Sequence, residues 1–423
     1  MGDSLSCGCD LAQRAIASRR SGPARILYLA NNPPENIMWG TEMCLLDLID
    51  GLDADRYVPL AAVVQQNGVF EEALRQRSIR VLRTRLPEPA RLGLGSAAAA
   101  LRAARRCLRE LMGQRPDLVH INNAGAAART GVVLGRLCGA STVLHLHGRP
   151  RPREYVTSGA ALTTVVVANS QFSAQGWDWW PARKRVAVVH SGTDLSRFRP
   201  SAGERQAARR ELGLSETDFV IGCVGRGTAE KGHRFLLEAL ASCLSRNDSM
   251  AALLIGVPPI GHHPVAYPHV CQLHRLVGEL GLSEQVRFLG FRTDVPRLLN
   301  ALDLFIHPSL RESFGRAVVE AMATALPVVA TRVGGLPDAV ADGETGLLVP
   351  PADPGALGAA INRLRADPEL RKTMGERGRL RAEEHFSIDA HIGQMTEIYE
   401  SALRARRSKE HTARDHRACR ERP

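Results

Sequence analysis

Lysine is nearly missing from this chain: four occur in 423 residues, so arginine carries almost all of the formal charge of +11 at pH 7. Aromatic residues amount to only 4%, and no recognised nucleic-acid-binding module is present, so the basic balance does not read as a nucleic-acid surface. No apolar run reaches the roughly 18–20 residues that a membrane span requires. Residues Met1 to Gly22 carry charge and small side chains without a continuous apolar core, which does not read as a signal peptide. A cytoplasmic location is expected. Paired cysteine spacing is absent as well. The nine cysteines are scattered and odd in number, and the closest pair, Cys7 and Cys9, stands in a leader expected to be disordered, so neither a disulfide framework nor a zinc site is expected.

The positive charge that is there gathers in two places. Residues 96–116 read as a helix with Arg102, Arg105, Arg106 and Arg109 beside Leu101, Leu108, Leu111 and Met112, a candidate anionic-membrane surface or an ordinary solvated face. The tail from Arg404 to Pro423 holds eight basic and three acidic residues with almost no apolar content, and is expected to be disordered from 405 on.

Between these segments, apolar strands and helices alternate twice. The first series opens with the buried strand Ala24 to Ala30. It continues through the helix Gly40–Gly51 and strands near 58–64, 80–84, 118–121, 142–146, 162–168 and 185–189, with helices between them, among them 70–77, 125–137 and 170–177. The polar segment Asp194–Glu204 breaks the pattern. The second series runs from Phe219 to Val349 and is followed by helices at 354–366 and 367–381 and an amphipathic helix from Ile388 to about Arg404. Buried strands alternating with helices make parallel, doubly wound sheets, here two α/β Rossmann-like domains in tandem. The expected boundaries are a leader at 1–23, a first domain at 24–197, a second at 198–386, a helix at 387–404 that packs back toward the first, and a tail at 405–423. Open parallel sheets take ligands at the carboxyl ends of their strands, so two facing sheets are expected to frame a cleft.

Two constellations carry chemistry. Glu312-Ser-Phe-Gly-Arg-Ala-Val-Val-Glu320 follows the strand Leu304–His307 and Pro308-Ser309, which places Glu312 in a loop and Glu320 about two turns into a helix. A carboxylate accepts hydrogen bonds from neighbouring sugar hydroxyls, and backbone amides at Ser313, Phe314 and Gly315, at a helix N-terminus, can meet an oxyanion. The alternative is a helix with two surface glutamates. The second constellation is Val224-Gly-Arg-Gly-Thr-Ala-Glu-Lys-Gly232 after the first strand of the second series. There Gly225, Gly227 and Gly232 permit a tight turn, and Arg226 and Lys231 offer two cations for a diphosphate. A dinucleotide fingerprint fails at Glu230, where its third glycine should stand.

Together with Pro327–Gly335, Asp342–Val349, Val167–Phe172 and Ser191–Asp194 followed by Phe198, these motifs resemble glycosyltransferase family 4, of the GT-B fold, over roughly 24–399. The resemblance implies transfer of a hexose or related sugar from a nucleoside-diphosphate sugar, a UDP- or GDP-sugar, to a hydroxyl acceptor, with retention of configuration and without a metal or other cofactor. It implies that Arg226 and Lys231 hold the diphosphate, that Glu312 contacts sugar hydroxyls, that Glu320 binds the ribose, and that His147 lies near the transferred sugar. His145 is expected to be a packed core residue. Gly40 matches a backbone approach to phosphate, although Trp39 stands where the family often has a second glycine. Two other readings are kept: a sugar phosphorylase or synthase using the same donor site, and a nucleotide-sugar-binding protein without turnover. Asp53-Ala-Asp55 resembles a metal-binding D-x-D motif, but it follows a helix stop rather than a strand.

Overall fold

The computed structural model describes residues 22–30, 38, 40–63, 68–82, 105–106, 108–122, 126–149, 160–176, 186–243, 249–259 and 268–420. Outside them lie Cys7 and Cys9, nearly all of the leader, Trp39, His262-His263 and residues 96–104 and 107 of the basic stretch 96–116.

Thirteen described strands form two sheets. The first holds β1 (Ala24–Ala30), β2 (Tyr57–Val63), β3 (Arg80–Val81), β4 (Leu118–Asn122), β5 (Ser141–Leu146), β6 (Val165–Ala168) and β7 (Val186–Val188), in the order β3-β2-β1-β4-β5-β6-β7. The second holds β8 (Phe219–Val224), β9 (Met250–Ile255), β10 (Val286–Gly290), β11 (Leu304–His307), β12 (Val328–Thr331) and β13 (Gly346–Val349), in the order β10-β9-β8-β11-β12-β13. Pairing is parallel, with Phe219 to Val224 of β8 aligned to Met250 to Ile255 of β9 and Leu304 of β11 aligned to Ile221 of β8. Each order turns outward from its first strand and then resumes on that strand's other side. The sheet direction of chain travel therefore reverses between β1 and β4 and again between β8 and β11, the places where an open sheet leaves a crevice at its carboxyl edge.

Both faces of the second sheet are covered. Val220, Ala251, Leu253, Ile255 and Phe305 enter one apolar cluster, while Ile221, Met250, Ala252, Leu254, Leu304 and Ile306 enter the other. That alternation is the period of two expected of a strand whose residues are apolar throughout because helices lie above and below it.

The helices that matter for the site are α1 (Gly40–Gly51), α2 (His233–Cys243), α3 (Arg316–Ala323), α4 (Pro368–His385) and α5 (Ile388–Arg420). The chain forms two compact units, one comprising Met1–Leu144, Glu154–Val165 and Thr396–Pro423, the other His145–Arg153 and Val166–Met395. In the first unit, Tyr399 of α5 is buried and its hydroxyl lies 2.7 Å from Nδ1 of His120, while the Ser141 hydroxyl donates to the Ala402 carbonyl at 2.6 Å.

Three local expectations change. The strand expected from Leu162 begins only at Val165, because Ala160–Leu162 form a helical turn closed by the Thr163 amide and hydroxyl on the Ala160 carbonyl (3.0 and 2.6 Å). The helix expected over 170–177 is a single turn, Gln171–Ala174, capped by the Ser170 hydroxyl. The tail expected to be disordered after Arg404 is instead a continuation of α5 to Arg420. After Gly393 neither glycine nor proline occurs until Pro423, so nothing in that stretch breaks a helix. Asp53 and Asp55 form a turn in which Asp53 accepts the Asp55 amide at 2.9 Å.

Candidate functional site

The loop after β8 and the loop after β11 meet at the switch point of the second sheet. Of the three glycines in the first loop, Gly232 alone takes a left-handed conformation (φ 68°), and a Cβ there would stand 1.9 Å from the Pro308 carbonyl oxygen. This glycine therefore lets the Lys231 turn press against the exit of β11. From the other side Gly334 (φ 55°) presses on the Glu312 carbonyl, where a Cβ would approach to 1.6 Å. The backbone of residues 308–313 is thus held between two glycine turns.

That clamp brings Lys231 and Glu312 together: Nζ donates to Oε2 at 2.7 Å, with the two side chains 21% and 15% exposed. His307, the last residue of β11, places Nε2 2.9 Å from the same oxygen, and the Ser309 hydroxyl lies 3.1 Å from that nitrogen. The other carboxylate oxygen accepts the Ser313 amide at 3.1 Å. Burial by itself would raise the Glu312 pKa, but the hydrogen bond from His307 and the charge of Lys231 overcome it, so the group stays well below the usual carboxylate range. His307 is displaced downward by burial and by the nearby Lys231, with Glu312 pulling the other way. His233, which opens α2 directly behind Gly232, is fully buried and pushed down to about 3 by desolvation, with Lys231 adding to it.

The remaining sequence-derived residues fall around this pair. Gly225 continues the β8 ladder through its amide to the Ile255 carbonyl (2.9 Å), and its missing Cβ leaves ordinary contact space for the Lys231 side chain at 3.5 Å. Arg226 stands half-buried at the start of the same turn. Phe314 is buried and stacks on His190 at 5.2 Å, so the part of it that is left for a ligand is its backbone. Gly315 caps α3 in a left-handed conformation. Glu320 sits on α3 as expected, where Arg316 donates to it at 2.9 Å. His147 follows β5 with its ring 4.2 Å from that of His145, and desolvation, with His391 nearby, lowers it to about 3. The next residue, Gly148, borders Ser313: a Cβ there would lie 3.2 Å from the serine hydroxyl. His145 is buried, the core position expected of it. Gly40 belongs to the other compact unit, where it opens α1.

Sequence reasoning missed His307, Ser309, His190 and Asp338. Asp338 joins His190 Nε2 (3.3 Å) to the Gln171 amide (2.6 Å), beneath Phe314. His307 stood in the quoted strand Leu304–His307, but only the folding of the next five residues back on the strand reveals its partner. Among the described residues no cluster of three or more His, Cys, Asp or Glu side chains could hold a metal ion, and no helix is long and apolar enough to cross a membrane.

Known proteins are similar to this chain in both halves. A model described as Glycosyltransferase Family 4 matches residues 39–197, and one described as Glycosyl transferases group 1 matches 204–381. A D-inositol 3-phosphate glycosyltransferase of Salinispora arenicola is 39% identical over 270 residues, 61% of this chain and 60% of that one. Its counterpart from Corynebacterium glutamicum is 38% identical over 230 residues, 52% of each. The chain thus spans about half to three-fifths of the length of these curated relatives. Among solved structures, Anabaena HepE in complex with UDP-glucose is 28% identical with a TM-score of 0.74, covering 89% of this chain and 99% of that one. The sucrose-phosphate synthase of Thermosynechococcus elongatus shares the fold, with 22% identity, a TM-score of 0.71, and 90% and 100% coverage. Matched in order by both family models from residue 39 to 381, the chain belongs to glycosyltransferase family 4.

Proposed function

We propose that this protein is a retaining, metal-independent glycosyltransferase that moves a sugar from a nucleoside-diphosphate sugar to a hydroxyl acceptor. One observation carries the reading: Lys231 and Glu312, a cation and a carboxylate 2.7 Å apart, come from the two loops that flank the switch point of the second sheet. A diphosphate needs fixed positive charge, supplied by Lys231 and Arg226. A sugar needs hydrogen-bond acceptors, supplied by Glu312, with the amides at Ser313, Phe314 and Gly315 beside it. Lys231 and Arg226 stabilise the negative charge that grows on the leaving phosphate, the contribution expected of preorganised cations at a departing group. In this reading the departing phosphate takes the acceptor proton on the front face, so no enzymic nucleophile is assigned. Glu320 holds the ribose, His147 lines the sugar end, and Gly40 meets the phosphate through its backbone.

The donor is a UDP-sugar, a choice supported by HepE having been solved with UDP-glucose. An inositol phosphate is the acceptor favoured by the names of the curated relatives. The protein acts in the cytoplasm, and residues 96–116 dock it on anionic lipid.

The test is thermal stabilisation by UDP-, GDP- and ADP-sugars with and without EDTA, followed by turnover of the stabilising donor with inositol phosphates. A selective, EDTA-insensitive shift and transfer to a hydroxyl support the reading. Turnover that requires inorganic phosphate favours the phosphorylase, and binding with no turnover on any acceptor favours the non-catalytic protein. Equal sedimentation with neutral and anionic vesicles removes the membrane assignment.

A further inference from the structure

The Glu312 carboxylate is held by more than its lysine. Oε2 receives Lys231 Nζ at 2.7 Å and stands 2.9 Å from His307 Nε2, while Oε1 accepts the Ser313 amide. A carboxylate oxygen and an unprotonated imidazole nitrogen at that distance would set two lone pairs against each other, so the proton of His307 must sit on Nε2. Nδ1 agrees: it is buried without a hydrogen-bond partner, and a lone pair is less costly to bury unpaired than an N–H. Ser309 then accepts from, or lies beside, the same N–H, and its own carbonyl accepts the Thr331 hydroxyl at 2.5 Å, which ties the residue after Pro308 to β12.

This arrangement gives Glu312 two donors on one oxygen, and the two have different fates. Lys231 is a flexible ammonium that a diphosphate would draw away. His307 is a neutral ring only 2% exposed at the end of a central strand, and cannot follow it. We propose that His307 is the positioning residue of the donor site: it keeps the Glu312 carboxylate ionised and aimed at the sugar hydroxyls when Lys231 turns to the diphosphate. The proposal rests on the donor reading given above and adds to it a division of labour, with Lys231 serving the diphosphate and His307, through Glu312, serving the sugar.

The division makes the sugar increment the quantity to measure, meaning the affinity for UDP-glucose relative to UDP. With wild type, His307→Leu and His307→Gln, calorimetry should show UDP affinity within about twofold across all three. UDP-glucose affinity should fall about tenfold or more in His307→Leu and be largely restored in His307→Gln, whose amide can donate from nearly the position of Nε2. Equal loss of both ligands in His307→Leu, or an unchanged increment in a folded variant, would overturn the proposal. A ligand-free measurement separates this from failure of the donor reading. In protein labelled with 15N-histidine, the His307 ring should be the neutral Nε2–H form and should remain so in Lys231→Met. An Nδ1–H ring in wild type overturns the positioning role. If wild type binds neither UDP nor UDP-glucose, the donor reading is what has failed, and the tautomer in wild type and Lys231→Met then decides for or against His307.

Discussion

At the scale of single residues, charge in this chain divides into groups that hold the fold and groups left at the site. Arg209 belongs to the first kind. It is fully buried, donates to the carbonyls of Ala301, Ser215, Glu216 and Asp218, and pairs with Asp303 at 2.7 Å. Replacing it with methionine leaves those carbonyls without this donor, while Asp303 keeps Arg205 and the Val220 amide, and acceptors left unsatisfied in this way cost ~1–3 kcal/mol each. Urea denaturation should show that loss, and a change under ~1 kcal/mol would mean water replaces the guanidinium freely. Lys231 is of the second kind. Lys231→Ala, and likewise Glu320→Ala, should cut turnover by ~100-fold or more, the scale of a lost transition-state contact, with the urea midpoint falling in Lys231→Ala because Glu312 loses its cation. Near-wild-type turnover in either variant would remove that residue from the site. The lysine was legible in the sequence because so few lysines occur and because this one stands between glycines after a strand. His307 was not legible, since a histidine closing an apolar strand carries no mark of the carboxylate that returns to it.

At the scale of elements, the site depends on backbone approaches that no side chain reports. Gly232 and Gly213 are both left-handed, at φ 68° and 58°, yet only Gly232 has a neighbour in the way of a Cβ. Gly213→Ala should therefore cost only its backbone strain, ~1 kcal/mol. Gly232→Ala must also push the Lys231 turn off Pro308, so it should destabilise further and weaken UDP binding along with stability. If the two alanine variants behave alike, the close packing of these loops does not hold the site. The succession of strands and helices along the chain and the placement of Glu312 before a helix were readable, because apolar runs and the glycine-rich turns mark them. The ends of elements were less so. The Ala160–Leu162 turn looked like strand because its closure depends on Thr163, and α5 was cut short because a polar composition was read as disorder although nothing in it breaks a helix. Tyr399→Phe, which removes the hydroxyl beside His120, should cost ~1 kcal/mol in the first unit.

At the scale of the whole molecule, three of the described histidines, His233, His147 and His307, make stability depend on acid. His233 and His147 are pushed down to about 3 from an ordinary value near 6.5, and His307 is lowered as well. Between about pH 6.5 and the folded values, the unfolded chain binds protons at these positions and the folded protein does not. Stability must therefore fall as pH drops through that window, by ~1.4 kcal/mol per pH unit for each histidine fully engaged. Glu312, Asp194, Asp294 and Asp342 are displaced downward. Their stabilisation persists until pH falls below ordinary carboxylate values near 4, so it adds a separate, later loss. Urea midpoints measured between pH 7 and 5 should thus decline with a slope approaching two protons from His233 and His147, steepened further by His307, while the slope above pH 7 stays shallow. His233→Leu should reduce the decline by about one proton, because its ring has no polar partner to lose. A flat profile from pH 7 to 5, or an unchanged slope in that variant, would mean that these histidines accept protons in the folded state, with water reaching their rings.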